Sequence, residues 1–478
     1  MSKIEVDQIT QQSGTTLTVG GGACKTAAVD ATTVTIGRSG GTVTLASGAT
    51  QSGFGRTGTV DWQTGSIKTT GFTAESGKGY FCNTDGGAFT ATLPASPSAG
   101  DIVGLADYTG NFATANLTVG RNSSKIEGVT DDAKMTINRE SKTLVYVDAT
   151  QGWIPVNDNA DPIQQEKFVA ASGGNTTATC GNFKIHTFTG PGTFTVSCAG
   201  NSVGSNTVDY LVIAGGGAGG AVNSGGGGAG GYRESSGAAS GCYSRSPLGA
   251  CVSALPVTAQ GYPITVGGGG AAITGGSRNV GGSGNPSTFS TITSTGGGGG
   301  GGCAPSGPNK GADGGSGGGA QGSSPAPGAN KGLGNTPPVS PSQGNPGGNS
   351  TSGSPGFAGA GGGGAGAAAA DVTSNSGPGG VGGTGVASSI TSSPVTRAGG
   401  GGGGGRVTSP GPTVPGGAGG SGGGGAGGGP GSPACTAVAG TTNTGGGGGG
   451  AGFTCSGQVE GNSGAGGSGI VIIRYKFQ

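Results

Sequence analysis

The chain has 478 residues and a formal net charge of +1, and charged residues make up only 9% of it. A net charge this close to zero, with basic residues spread thinly along the chain, excludes the electrostatic footprint of a nucleic-acid-binding protein. Aromatic residues make up 5% while 123 residues are glycine, so an ordinary side-chain core can account for only part of the fold.

The N-terminal part of the sequence predicts a strip of short β-strands. Residues 1–60 contain three related segments, TTLTVG (15–20), TTVTIG (32–37) and GTVTLAS (41–47), in which apolar residues alternate with threonines. Such a strip is too thin to bury its own apolar face, so we expect it to pair with copies of itself. The first ten residues contain no apolar signal region, and we therefore expect synthesis in the cytoplasm without a signal peptide.

Residues 61–156 predict a small β domain of the sandwich or barrel type, because many short apolar segments are separated by turn residues. Trp153 is expected to cap its core. Glu127, Asp131 and Asp132 form the densest carboxylate group, for which we expect a turn and, as the alternative, a glycosidase pair. The predicted strands are GYFCNT (79–84), AFTATL (88–93), DIVGLADY (101–108), NLTVG (116–120), KMTIN (134–138) and TLVYVDA (143–149).

A polar linker is predicted over residues 157–175, followed by a β scaffold over 176–295. The scaffold strands are FKIHTFTG (183–190), GTFTVSCA (192–199), TVDYLVIAGGG (207–217), YPITVGGGG (262–270) and STFSTITSTGGG (287–298), and a closing strand is predicted over 470–478. The single histidine, His186, lies within a predicted strand, which favours a structural role over catalysis.

Residues 296–469 contain runs of up to seven consecutive glycines. Such a composition usually indicates disorder. The ordered alternative is a bundle of polyproline-II-type strands, with three residues per turn and about 3.1 Å rise per residue, whose amides bond to neighbouring strands. We expect this lattice, held at its ends by the flanking strands, and we expect the loops between its runs to carry the binding residues.

The loop residues predicted to bind a partner are Tyr232, Arg233, Tyr243, Arg245, Phe357, Arg397, Arg406 and Phe453. For each of them the alternative is a structural role at the end of a strand. One histidine supports no catalytic triad, and no Walker phosphate-binding sequence occurs. We therefore predict no enzyme activity, no cofactor and no metal.

The nine cysteines include three pairs that could form disulfides in an oxidising medium. These pairs are Cys180 with Cys198, Cys242 with Cys251, and Cys435 with Cys455. Buried free thiols are the alternative.

Three sets of residues resemble known bacteriophage proteins. Residues 86–128 with TLVYVDATQGW (143–153) resemble a module of tail-fibre proteins. Residues 208–235, which begin VDYLVIAGGGAGG and end GGGGAGGYRES, together with GGSGIVIIRYKF (466–477), resemble the glycine-rich domain of phage and bacterial surface proteins. The glycine runs are similar to the tail-fibre tip adhesins of T-even-like phages, although this chain differs from them in having its own fibre-like N-terminus.

The resemblance implies a homotrimeric tail fibre in the virion. Its N-terminus would attach to other tail proteins, and loops of the glycine-rich domain would bind a host receptor, either a glycan or an outer-membrane protein. Three alternatives remain: a head-fibre or other virion structural protein without receptor contact, a polyproline-II-type ice-binding protein, and a bacterial surface protein.

Overall fold

A computed structural model describes residues 60–156 and 168–478, except for 202–203, 242, 250–251, 275–277, 304–309, 323–329, 352–356, 375–376, 408–412, 430–434 and 455–458. Their regular elements are β-strands and one 3-10 turn, Pro247–Gly249, so the predicted all-β class is confirmed. Within these ranges no helix could cross a membrane. The strip predicted over residues 1–60 lies outside the described residues apart from Val60.

Residues 60–156, which we call the first unit, contain nine strands in two sheets around one core. The strands are β1 (Asp61–Trp62), β2 (Phe72–Thr73), β3 (Lys78–Cys82), β4 (Phe89–Thr92), β5 (Ile102–Asp107), β6 (Leu117–Gly120), β7 (Ala133–Met135), β8 (Ser141–Asp148) and β9 (Gly152–Pro155). One sheet has the order β1-β3-β5-β8-β9 and the other β2-β4-β6-β7.

The chain winds between these two sheets through its first six strands. β1, β3 and β5 pair in parallel, as do β2, β4 and β6, and the later pairs are antiparallel. Tyr80, Leu105 and Trp153 from one sheet pack with Leu117 and Val119 from the other. Trp153 is fully buried, as its predicted place in the core requires, but the parallel winding was not predicted.

The described residues of 168–478, which we call the second unit, form a sandwich of two sheets and a lattice of glycine runs. Its strands are β10 (Val169–Ser172), β11 (Thr176–Cys180), β12 (Phe183–Phe188), β13 (Gly192–Ala199), β14 (Thr207–Ile213), β15 (Tyr232–Glu234), β16 (Leu255–Pro256), β17 (Gly261–Thr265), β18 (Ser287–Phe289), β19 (Ile292–Ser294), β20 (Val386–Ser388), β21 (Val395–Arg397), β22 (Arg406–Val407), β23 (Thr413–Val414), β24 (Phe453–Thr454), β25 (Val459–Glu460) and β26 (Ile470–Lys476).

The sandwich core lies between sheet β10-β13-β17-β18-β19 and sheet β11-β12-β26-β14-β15. The C-terminal strand β26 lies between β12 and β14 and pairs antiparallel with both. Val471 and Ile473 face the sandwich core, whereas Ile470 and Ile472 pack with Ala229 and Ala365 of the glycine runs. Burial on both faces explains why β14 and β26 are nearly continuous apolar runs.

The glycine runs form a lattice in which each run is surrounded by others. Successive amides of run 399–405 donate in rotation to three neighbours, 422–428, 380–383 and 224–227. Its carbonyls accept from three more, 447–450, 417–420 and 359–362. This rotation with a period of three is the geometry of polyproline-II strands, and a β-strand could not produce it because its bonds lie in one plane.

Two predicted boundaries were wrong. The lattice begins at Gly215 rather than at residue 296, because Gly215, Gly216 and Gly217 already donate to three different neighbours. The predicted linker 157–175 contains β10, which pairs with β13 and buries Val169. Residues 157–167 of that linker lie outside the described residues.

Candidate functional site

The lattice has two ends, defined by the first two glycine runs. Run 214–221 leaves β14, turns at Val222–Ser224, and returns as run 225–231 into β15, with Gly217 bonded to Gly228 and Gly220 to Gly225. We call the end beside β14 and β15 the near end and the end at Val222–Ser224 the far end.

Several other runs also reach the far end. Gly322 donates to Asn223, Gly404 donates to Ser224, and Ser224 donates to Ala451. Cys303 donates to Ala221. Residues from four runs that are distant in sequence therefore meet the turn at the far end.

Three of the predicted binding residues lie together at the far end. The Arg406 guanidinium lies 4.5 Å from the ring centroid of Phe357 and 5.6 Å from that of Phe453. All three side chains are half-buried. A cation between two aromatic faces is held by both rings, so Arg406 links three separate runs.

The backbone supports the same cluster. β22 and β24 pair in parallel with Arg406 opposite Phe453, and β23 and β25 complete a four-stranded sheet in the order β23-β22-β24-β25. Gly359, two residues after Phe357, donates to Gly404. Ala320, Ala358, Ala360, Val372 and Val414 form a small apolar cluster of their own.

The other five predicted residues lie at the near end. Two of them are too deeply buried to contact a binding partner. Tyr232 is 1% exposed and packs with Leu211 and Ile213, while Arg397 is 7% exposed. Burial lowers the pKa of Arg397, and Tyr232 and Glu234 oppose that shift. Tyr232 and Arg397 therefore have structural roles, which was the stated alternative.

Arg233, Tyr243 and Arg245 differ in exposure. Arg233 is half-buried in β15 opposite Val212, and Tyr243 is half-buried with Arg474 5.4 Å from its ring centroid. Arg245 is exposed. Of the five predicted residues at the near end, Arg245 is thus the one with an exposed side chain.

Two buried carboxylates at the near end were not predicted. Asp209 accepts hydrogen bonds from the Ser235 hydroxyl, the Gly237 amide, and both the amide and hydroxyl of Ser240. Glu234 accepts from the Ser246 amide, the Tyr232 hydroxyl and the Ser388 hydroxyl. Burial raises the pKa of Glu234, and these hydrogen bonds offset part of that shift. The two side chains hold the chain after β15 and hairpin β20–β21 against the sheet.

Arg474 repeats the geometry of Arg406 in a buried setting. Its guanidinium lies 5.0 Å from the Phe183 ring and 5.4 Å from the Tyr243 ring, and it donates to the Ile390 carbonyl at 3.1 Å. Arg474 is 2% exposed. At the near end this arrangement is therefore fully buried and structural, whereas at the far end its three side chains are only half-buried.

His186 is also structural. It is 1% exposed, its Nδ1 lies 2.6 Å from the Gly173 carbonyl, and its Nε2 lies 3.1 Å from the Tyr475 hydroxyl. Burial lowers its pKa. The acidic group is on the surface, since Asp131 and Asp132 are exposed and Asp132 accepts from the Arg121 amide. Within the described ranges, no three His, Cys, Asp or Glu residues are grouped to hold a metal.

The predicted disulfide between Cys180 and Cys198 is not formed. Cys180 is a free thiol in β11, and Cys198 lies in β13 of the other sheet. Cys435 is also a free thiol, while Cys242, Cys251 and Cys455 lie outside the described residues. Cys82 is buried, and its burial raises the pKa of the thiol to about 12.

Comparison with known families decides the class of this architecture. A family model described as a glycine-rich domain matches residues 187–476. The chain belongs to this glycine-rich domain family. The match extends from within β12 to the end of β26, so the glycine-rich domain comprises most of the sandwich together with the lattice. No curated protein matches the sequence.

Proposed function

We propose that this protein is a bacteriophage tail-fibre protein that binds a host surface receptor non-covalently through the far end of its glycine-rich domain. The observation that carries the proposal is the convergence of separate runs on one end of a hydrogen-bonded lattice. Residues distant in sequence, such as Phe357, Arg406 and Phe453, are brought together there. Binding residues often lie on connecting segments that a rigid scaffold positions.

The chemistry of the far-end cluster suits recognition. Arginine and aromatic side chains are enriched among the residues that dominate binding interfaces. Because the rings fix the Arg406 guanidinium before any ligand arrives, less conformational entropy is lost on binding. If several copies are carried on one particle, even weak single sites give strong attachment.

Adsorption of the labelled full-length protein to a panel of bacterial strains tests the proposal. We expect binding to at least one strain, and we expect Arg406→Ala to raise the apparent dissociation constant about tenfold, the usual effect of removing one important contact. Arg245→Ala is the matched control, because this exposed arginine lies at the near end and should bind as the unaltered protein does.

Two results would contradict the proposal. One is the absence of adsorption to every strain tested, which would favour a virion structural role without receptor contact. The other is an equal loss of binding in the Arg406 and Arg245 variants, which would place the contact elsewhere. Antibody labelling of intact particles separates a tail position from a head position in either case.

A further inference from the structure

The lattice has an outer edge on which the glycine pattern changes. In the enclosed run 399–405 every residue is glycine and every amide donates a hydrogen bond to another run. Runs 379–385 and 415–421 lie side by side at the surface, with Gly379 donating to Pro415, Gly382 to Ala418 and Gly385 to Ser421. These two runs have neighbours on one side and solvent on the other.

Every third residue of both outer runs is exposed. The exposed positions are Pro378, Val381 and Thr384 in one run and Pro415, Ala418 and Ser421 in the other. Their sequences are PGGVGGTG (378–385) and PGGAGGSG (415–422), so the non-glycine residues occupy the solvent side. A strand with three residues per turn presents the same side at every third residue.

Backbone amides remain unused at these exposed positions. Among the described residues, the amides of Val381, Thr384, Ala418 and Ser421 donate no hydrogen bond, whereas those of Gly380, Gly382 and Gly383 all do. The half-buried Gly416 and Gly419 of the second run also donate none. Proline has no amide hydrogen to donate. The edge therefore has a row of open donors, which is the condition under which a β-sheet edge recruits another strand.

The exposed side chains of the two outer runs occupy the space in which a further strand would have to lie to bond to this edge. Inside the lattice a Cβ at Gly400, Gly401 or Gly402 would come within 2.1 Å of a carbonyl oxygen of another run. Strands at lattice spacing therefore leave no room for a Cβ at these contact positions. A strand approaching Val381 or Ala418 would meet a Cβ before its carbonyls could reach the open amides.

We propose that the side chains of Val381, Thr384, Ala418 and Ser421 close the lattice edge against a glycine run from a second copy of this chain. The lattice can in this way be rigid inside and yet not grow by association between molecules. This inference concerns self-association and does not depend on receptor binding.

Glycine and alanine variants at the same sites test the inference. The variant Val381→Gly/Thr384→Gly/Ala418→Gly/Ser421→Gly removes each Cβ and leaves the amides in place. We expect its weight-average mass in sedimentation equilibrium to rise with concentration, reaching about one and a half times that of the unaltered protein near 1 mM. A few added backbone hydrogen bonds should give a dissociation constant on the order of 1 mM.

The matched control Val381→Ala/Thr384→Ala/Ser421→Ala keeps a Cβ at all four sites, and its mass should remain that of the unaltered protein. Circular dichroism and protease resistance check the fold, and the two-site variant Val381→Gly/Thr384→Gly is used if four glycines unfold the domain. The inference is overturned if a folded glycine variant keeps the unaltered mass. It is also overturned if the alanine control associates equally.

Discussion

Single glycines in the lattice are required by their neighbours and not by their own conformation. None of the glycines of run 399–405 has a positive φ, so any residue could adopt their backbone angles. A Cβ at Gly402 would, however, lie 2.1 Å from the Gly417 carbonyl oxygen. Glycine is therefore selected at such positions by close approach of another backbone.

We expect Gly402→Ala to destabilise the protein by about 1–3 kcal/mol, the usual cost of forcing an extra group into a packed interior. Gly268→Ala is the control, because Gly268 is exposed and a Cβ there would meet only the Asn285 Nδ2 at 3.7 Å. Its stability should stay within about 0.5 kcal/mol. Chemical denaturation followed by circular dichroism measures both, and equal effects of the two substitutions would contradict this account.

At the scale of elements, the sequence predicts strands better than it predicts their partners. Apolar residues mark β14 and β26 as buried, and alternation marks β13, because burial follows directly from side-chain chemistry. The parallel winding of β1 to β6 was not predicted, since a periodic pattern carries no information about which strand lies alongside. The early start of the lattice was missed because Gly215–Gly217 directly follow an apolar run and were assigned to its predicted strand, 207–217.

The candidate site shows the same limit. Phe357, Arg406 and Phe453 could be predicted as bulky residues beside glycine runs, but their meeting depends on lattice contacts over long sequence distances. Tyr232 and Arg397 are also bulky residues beside glycine runs, but their side chains are buried. Their burial comes from long-range contacts: Tyr232 packs with Leu211 and Ile213, and a hydrogen bond from Ser388 to Glu234 joins hairpin β20–β21 to β15.

Glu234 should make stability depend on pH. Its pKa in the folded protein is raised above the ordinary value of 4.5 by burial, so the folded state holds the proton more tightly than the unfolded state. The stability that this provides is complete below the unfolded pKa and is lost as pH rises through the folded pKa.

Glu234→Gln removes this titration, and we expect its unfolding free energy to change less between pH 4 and pH 8 than that of the unaltered protein. Denaturant unfolding across this range gives both curves. Because all other groups titrate equally in the two proteins, their difference isolates Glu234. Parallel curves would show that Glu234 does not couple folding to pH.

For the whole molecule, the lattice depends on the sandwich for its stability. Ordering a residue costs about 1–2 kcal/mol, and a backbone hydrogen bond contributes roughly 1 kcal/mol, so the runs alone are close to balance. The favourable surplus comes from the apolar clusters on the two faces of sheet β11-β12-β26-β14-β15. β26 contributes to both clusters and is the last strand of the chain.

Deletion of residues 470–478 should therefore unfold the sandwich and the lattice together, because β12 and β14 lose the partner between them. The first unit has its own core and holds both tryptophans, Trp62 and Trp153. We expect unchanged tryptophan fluorescence and a loss of amide protection in the glycine runs by hydrogen exchange. Deletion of the exposed Gln478 alone is the control, and preserved glycine protection in the longer deletion would contradict the expectation.

The interior made of backbone has a consequence for how such a chain can diverge. In an ordinary core a substitution obliges the side chains around it to adjust. Around run 399–405 adjacent runs meet through main-chain atoms, which are the same whatever the sequence elsewhere. A segment joining two runs at the far end can therefore be lengthened, shortened or exchanged without compensating substitutions inside, so proteins with one shared interior and unrelated far-end segments are the expected outcome of divergence.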